Sequence, residues 1–389
     1  MPVSFEFATA VRVVFGWGRL AEAGPMAREF GRRALLVRGA SAGASARVQG
    51  LQRVLERAGV SWVGCPLASE PSLEDARHAA SRARAEGCDL VVACGGGAVL
   101  DLGKAAAALL TNPGDPLDYL EVVGSGLPLS RPSAPLLALP TTAGTGSEVT
   151  RNAVLSCPEH GVKASMRSHW MLPRVALVDP ELTMGLPPHL TASTGMDALT
   201  QLFEPFVCRR AQPLTDALCR DGLGRVARSL RRACAGTPDR EAREDMALAS
   251  LFGGMALANS GLGVVHGLAA PLGGALQAPH GALCAAILPH AVEVNLAALR
   301  VRDPKSPLLE RFQEAARLLT GRQDASAQDG VRWLQDLVCD LKIPGLASLG
   351  CRNSDLEGIC AKAREASSFK ANPVALEDSE IREILQRAL

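Results

Sequence analysis

The chain has 389 residues, with 41 Lys plus Arg against 40 Asp plus Glu for a net charge of +1, and it is 47% hydrophobic and 21% charged. That length accommodates two domains with separate cores. The even charge without a basic block, and an aromatic content of only 4%, exclude a nucleic-acid partner that would need phosphate-neutralising patches or base-stacking platforms.

No stretch holds 18 or more uninterrupted apolar residues, so no membrane partner is expected. The N-terminus lacks the basic and apolar regions of a signal peptide. Eleven cysteines are scattered without CxxC spacing, which suits reduced thiols in the cytoplasm rather than a disulfide framework. The expected partner is a small molecule.

Along the chain, residues 11–15 read as a strand, 18–30 as a helix, 33–37 as a strand and 44–58 as a helix with apolar residues at helical spacing. Ser72-Leu73-Glu74-Asp75 is a helix-start signal, continued by 77–86. Residues 90–94 (LVVAC) are wholly apolar, as a central parallel strand is, and 95–98 (GGGA) turn into a helix over 99–110. Further strands are expected at 135–139 and 175–178. Such alternation predicts a parallel sheet covered by helices.

Beyond Pro187-Pro188 the β-branched runs give way to Ala/Leu/Arg patterns at 215–234, 240–259, 307–319, 328–341, 354–367 and 378–389, which predict an all-helical half. Arg231-Arg232 reads as a solvated face of one of these helices. The expected division is an α/β dinucleotide-binding domain over 1–185 and a helical metal and substrate domain over 186–389, with a ligand cleft between them.

Three features carry chemistry. The glycines at 95–97 expose backbone N–H groups at a helix N-terminus, where phosphate binds well. A plain tight turn explains one such loop, but residues 140–148 (PTTAGTGSE) repeat the device after a second apolar strand. The third lies in residues 261–290, an apolar stretch carrying His266 and His280, each followed by glycine. Buried imidazoles need partners, and neutral imidazole is the commonest protein metal ligand. On the helix over 191–207, Asp197 and Gln201 share a face four residues apart. Asp197 completes an Asp/His/His set, which leaves coordination positions open for water or substrate.

GGGAVLDLGKA at 95–105, PTTAGTGSEVT at 140–150, GMDALTQ at 195–201 and the H-x13-H spacing at 266 and 280 make the chain similar to the iron-containing (group III) alcohol dehydrogenase family, in order and over nearly its whole length. The resemblance implies a Rossmann-like dinucleotide-binding domain followed by an all-helical C-terminal domain (the dehydroquinate synthase-like fold), a divalent metal (Fe2+ or Zn2+), NAD(H) or NADP(H), and a homodimer. It implies an NAD(P)-dependent enzyme that interconverts a small alcohol and its aldehyde or ketone.

Residue by residue, the resemblance assigns Gly96, Gly97 and Ala98 to the pyrophosphate, with Asp101 and Lys104 fixing the helix start. It assigns Thr141, Thr142 and Thr145 to the phosphates and nicotinamide side, Thr150 and Lys163 to the nicotinamide ribose, and Asp197, His266 and His280 to the metal. Three positions depart from the pattern. Gln201 stands where many members have a histidine as fourth ligand, and a neutral amide is a weaker one. Ala270 replaces a histidine that helps relay the proton. Arg38-Gly39-Ala40-Ser41 lacks the aspartate that binds an adenosine ribose, which favours NADP(H).

Few charged side chains stand near the expected site, which points to a small, weakly polar aldehyde. The rival activities within the resemblance are a metal-independent reductase of the maleylacetate type and a lyase of the dehydroquinate synthase type. A cofactor-binding protein without catalysis is a third rival. His78, His160, His169, His189 and His290 read as surface or structural.

Overall fold

A computed structural model describes residues 4–160, 162–276 and 278–389. The chain forms two compact units, one of Thr9–Thr142 and Gly146–Met184, the other of the segment ending at Ala8, Ala143–Thr145 and Gly185–Leu389.

The first unit is built on six strands: β1 (Arg12–Phe15), β2 (Arg33–Gly39), β3 (Ser61–Leu67), β4 (Leu90–Gly95), β5 (Leu136–Pro140) and β8 (Val175–Val178). All pair in parallel, in the order β1-β8-β5-β4-β2-β3. Successive side chains of a strand point to opposite faces. Leu35, Val37, Val91, Ala93, Leu136 and Ala138 therefore pack beneath α3 (Leu73–Ala85) and α4 (Gly97–Thr111). Their neighbours Leu36, Leu90, Val92, Leu137 and Leu139 pack against α1 (Ala23–Phe30) and α2 (Ala42–Arg57). Burial on both faces explains why these strands read as continuous apolar runs.

Helix α3 starts with a reciprocal cap between Ser72 and Asp75, as its sequence signal predicts. Helix α4 lies close on the sheet because Gly103 has no side chain; a Cβ there would come within 2.6 Å of the Ala93 Cβ.

Three elements differ from the sequence expectation. Residues 18–30 form a 3-10 turn at Arg19–Glu22 before α1, rather than one helix. The edge strand β3 carries Gly64 and Pro66, which break a strand pattern but are tolerated where one side of the ladder is free. An antiparallel ribbon of β6 (Asn152–Cys157) and β7 (Val162–Arg167) follows the second glycine loop, its burial alternating with period two along β6.

The second unit consists of helices α5 (Pro188–Val207), α6 (Pro213–Cys234), α7 (Arg240–Ser260), α8 (Val264–Leu276), α9 (His280–Arg302), α10 (Pro307–Thr320), α11 (Ala327–Asp340), α12 (Leu356–Glu365) and α13 (Asp378–Ala388). Helix α9 is long and apolar enough to span a bilayer, but 83% of its apolar window is buried by its neighbours, so it is the core helix around which the unit packs. Arg231 and Arg232 lie on the solvated face of α6, paired with Asp340 and with Asp239 and Glu241.

Glu148, in the turn between β5 and β6, is 1% exposed, and its Oε2 has no hydrogen-bond partner among the described residues. Burial pushes its carboxyl up from 4.5 to about 7, against a backbone hydrogen bond and the Lys104 charge that favour the anion. A raised carboxyl pKa means that the native state holds its proton longer than the unfolded chain does. Stability is therefore lost as pH rises from about 4.5 to about 7. Glu148→Gln is expected to remove that loss, so urea titrations should show the variant gaining on the parent across this window by up to about 3 kcal/mol, and no further gain above it.

Candidate metal centre and dinucleotide loops

In the first unit the sequence-predicted loops converge at the carboxyl ends of three adjacent strands. Arg38 lies level with Cys94, and Gly95 with Pro140. The Thr141 N–H donates to the Gly95 carbonyl at 2.9 Å. The chain reverses here, β3 lying on one side of β2 and β4, β5 and β8 on the other; such a reversal is where open parallel sheets bind ligands. Helix α4 begins at Gly97 with Gly96 as its N-cap and no side chain capping it, so its first N–H groups are available to an anion. The Thr142 side chain stands 3.5 Å from where a Gly96 Cβ would be. At the next loop Arg38 donates to the Gly39 carbonyl at 3.1 Å.

Asp101 and Lys104 act differently from the expectation that they fix the start of α4. They pair with each other at 2.9 Å inside the helix. Asp101 accepts from Ser147 Oγ at 2.6 Å and from the Val154 N–H at 3.0 Å, while Lys104 donates to Thr150 Oγ1 at 2.9 Å. This nearly closed hub anchors the segment after the second glycine loop, and it engages the Thr150 hydroxyl, which in turn donates to the Ser147 carbonyl. Lys163, on β7, pairs with Glu70 at 3.2 Å. Thr145 lies in the Ala143–Thr145 stretch that belongs to the helical unit.

In the second unit Asp197, His266 and His280 come together from α5, α8 and α9. Asp197 Oδ1 lies 3.4 Å from His266 Nε2 and 3.8 Å from His280 Nε2, and the two rings are 5.4 Å apart. The approach of α9 depends on Gly281, where a Cβ would strike the Ser193 carbonyl oxygen at 2.2 Å and press on the Asp197 side chain. Asp197 and His266 are buried, whereas the His280 side chain is 40% exposed, which gives the cluster one accessible side.

Glu204, which the sequence reading passed over, completes the arrangement. It lies seven residues after Asp197 and so on the same face of α5, a spacing that could have flagged it. Its Oε2 is 2.7 Å from His266 Nδ1, and its Oε1 accepts from the Val265 N–H at 2.7 Å. In the tautomer that donates its Nδ1–H to Glu204, His266 leaves Nε2 aimed at Asp197. A carboxylate behind a histidine in this way is the usual support of a metal-ligating imidazole.

Burial opposes charge on His266, yet the Asp197 and Glu204 carboxylates outweigh it and raise its pKa to about 9. Burial likewise opposes the Asp197 anion, but His266, His280 and Gln201 hold its carboxyl below the usual range. The two effects are reciprocal: the carboxylates stabilise a charged His266, and the imidazoles with Gln201 stabilise the Asp197 anion.

The fit to a divalent metal is direct. Asp197 Oδ1, His266 Nε2 and Gln201 Oε1 are buried without hydrogen-bond partners among the described residues, and orphaned buried polar atoms are costly. Their convergence with His280 gives oxygen and imidazole donors to one point, as a catalytic zinc or iron site requires. Ala270, exposed on α8 one turn after His266, offers no group to carry a proton.

A phosphate-type double loop on a parallel sheet and an Asp/His/His centre in a helical unit define a dinucleotide-dependent, metal-assisted oxidoreductase. Residues 10–180 match the family described as iron-containing alcohol dehydrogenase, and residues 191–389 match its C-terminal family. A 1,3-propanediol dehydrogenase of Klebsiella pneumoniae is 36% identical over 368 residues, covering 92% of each chain. A crystal structure of 1,3-propanediol oxidoreductase superposes with a TM-score of 0.91 at 33% identity, over 99% of this chain and 100% of that one. A sulfoacetaldehyde reductase from Bifidobacterium kashiwanohense, solved with NAD+, gives 0.86 at 28% identity over 100% and 99%. The chain belongs to the iron-containing alcohol dehydrogenase family. It is an NAD(P)-dependent oxidoreductase that interconverts alcohols with their aldehydes or ketones.

The support that Glu204 gives His266 can be measured. Glu204→Gln is expected to weaken Zn2+ binding by roughly 10–100-fold in competition with a chromophoric chelator, the usual cost of removing such a partner. Unchanged affinity would show that His266 is positioned without it.

Proposed function

We propose that the enzyme reduces a small, weakly polar aldehyde, or oxidises the matching alcohol, with NADP(H) as the preferred coenzyme and a divalent metal held by Asp197, His266 and His280. The observation that carries this reading is the convergence of unpartnered buried donors on Asp197 and His266 beside an accessible His280.

When bound, the metal supplies Lewis acidity that polarises the carbonyl oxygen and stabilises the alkoxide charge that develops on it, several kcal/mol of barrier in known cases. The dinucleotide supplies or accepts the hydride. The protein's own part is positional. Gly96, Gly97 and Ala98 offer backbone N–H groups to the pyrophosphate, and Thr141, Thr142 and Thr145 offer hydroxyls beside it. Thr150 and Lys163 stand toward the nicotinamide ribose in this reading, Thr150 with its hydroxyl oriented by Lys104. Asp197 provides the one anionic ligand of the three, Glu204 fixes the His266 tautomer, and His280 faces the accessible side.

Support for NADP(H) comes from Arg38-Gly39-Ala40-Ser41. No carboxylate follows β2 to repel a 2′-phosphate, and an arginine stands beside a glycine that leaves room for one. The two units serve as coenzyme half and metal half in this reading. The family resemblance supports a homodimer, and eleven free thiols support a reducing compartment such as the cytoplasm.

The test is reduction of short aldehydes by protein purified without chelators or affinity tags. Activity with NADPH should exceed that with NADH in kcat/KM, disappear on chelation and return with Fe2+ or Zn2+. A metal-free protein with full carbonyl reductase activity would overturn the metal reading, and an NADH preference would overturn the coenzyme assignment alone.

A further inference from the structure

The Asp/His/His set has a fourth neighbour. Cys284 lies one turn after His280 on α9 and is 0% exposed. Its Sγ is 3.6 Å from His280 Nε2, and the donor atoms of Asp197, His266, His280 and Cys284 all lie within 4.8 Å of one another. We propose that Cys284 is a fourth protein ligand of the metal, taking the role that Gln201 leaves open, and that its thiolate tilts the site toward Zn2+ over Fe2+. The inference rests on the metal reading above and extends it.

The geometry favours coordination over simple packing. With metal–nitrogen and metal–oxygen bonds of about 2.0–2.1 Å and a metal–sulfur bond of about 2.3 Å, donors at near-tetrahedral angles stand about 3.3–3.6 Å apart, and a substrate oxygen would enter by expansion to a fifth position. The Asp197–His266 and Cys284–His280 separations, 3.4 and 3.6 Å, fall in that range, and Asp197–His280, at 3.8 Å, lies just beyond it. A second observation points the same way independently of the cysteine: Asp197 Oδ1 and His266 Nε2 are buried, aimed into this space and without hydrogen-bond partners among the described residues.

Gln201 is also close, but its neutral amide adds no charge. A thiolate with Asp197 balances a divalent ion with two anionic ligands inside an apolar core. On binding, the sulfur–hydrogen bond gives way to a sulfur–metal bond and the proton leaves to solvent. Thiolate is a soft donor that favours zinc over iron at a site otherwise made of imidazole and carboxylate.

The experiment replaces the native metal with Co2+ in the full-length protein. One equivalent should give visible ligand-field bands together with a near-ultraviolet thiolate-to-Co2+ charge-transfer band. Cys284→Ser should keep the visible bands, lose the near-ultraviolet one and bind Zn2+ roughly 10–100-fold more weakly.

Because the site is buried and the variant is at risk of misfolding, a second measurement uses the unaltered chain. Zinc-edge X-ray absorption should show one sulfur at about 2.3 Å beside nitrogen and oxygen at about 2.0–2.1 Å. One bound Co2+ without a charge-transfer band, a band that survives Cys284→Ser, or a zinc shell without sulfur would each overturn the proposal while leaving the Asp/His/His site standing. Failure of the unaltered chain to bind Co2+ or Zn2+ at all would overturn the metal reading and this inference with it.

Discussion

Two carboxylates, Asp197 and Glu204, lie buried seven residues apart on one face of α5, inside a helical unit whose core is mainly apolar. Burying an anion without compensation is costly, so the surroundings must supply positive charge and hydrogen-bond donors. Glu204 obtains them from His266 Nδ1 and the Val265 N–H. Asp197 has Gln201, and two imidazoles at distances longer than good hydrogen bonds, and its Oδ1 is without a hydrogen-bond partner among the described residues. The first arrangement is complete within the protein. The second leaves a buried oxygen unpartnered among the described residues, the difference expected between a supporting carboxylate and a metal ligand.

The rest of the unit delivers those imidazoles. His266 lies near the start of α8 and His280 is the first residue of α9, so each reaches the centre from a helix terminus, with much of α9 behind it packed in the core. Gly281 sets how closely α9 approaches α5, since any side chain there would meet the backbone of Ser193. The first unit makes its site by different physics. There the groups left open are backbone N–H groups at the start of α4, where Gly96 is the N-cap and no side chain caps the helix. A buried ionic hub, Asp101 and Lys104 with Ser147 and Thr150, holds the segment after the second loop.

Much of this was legible in the sequence. Parallel strands buried on both faces are apolar throughout, so β2, β4, β5 and β8 could be read directly, and the long helices of the second unit announced themselves by their period. The Asp197, His266 and His280 set was legible because few polar residues interrupt that apolar stretch. What escaped were elements whose pattern serves two masters. The edge strand β3 accepts Gly64 and Pro66, and the β6–β7 ribbon follows a loop whose motif drew attention to its glycines. Glu204 and Cys284 escaped because each looks ordinary alone, although spacings of seven from Asp197 and four from His280 put each on the same helix face. The roles of Asp101 and Lys104 were misjudged because proximity along α4 could not reveal the chain segment that folds back onto them.

The central claim is that Asp197, His266 and His280 jointly hold one metal ion. Anomalous diffraction at the zinc and iron edges, from crystals of the active enzyme grown without chelator, tests it most directly. The account predicts a single peak about 2.0–2.2 Å from an Asp197 oxygen, His266 Nε2 and His280 Nε2. A fully active crystal with no peak there, or with the metal bound elsewhere, would contradict it.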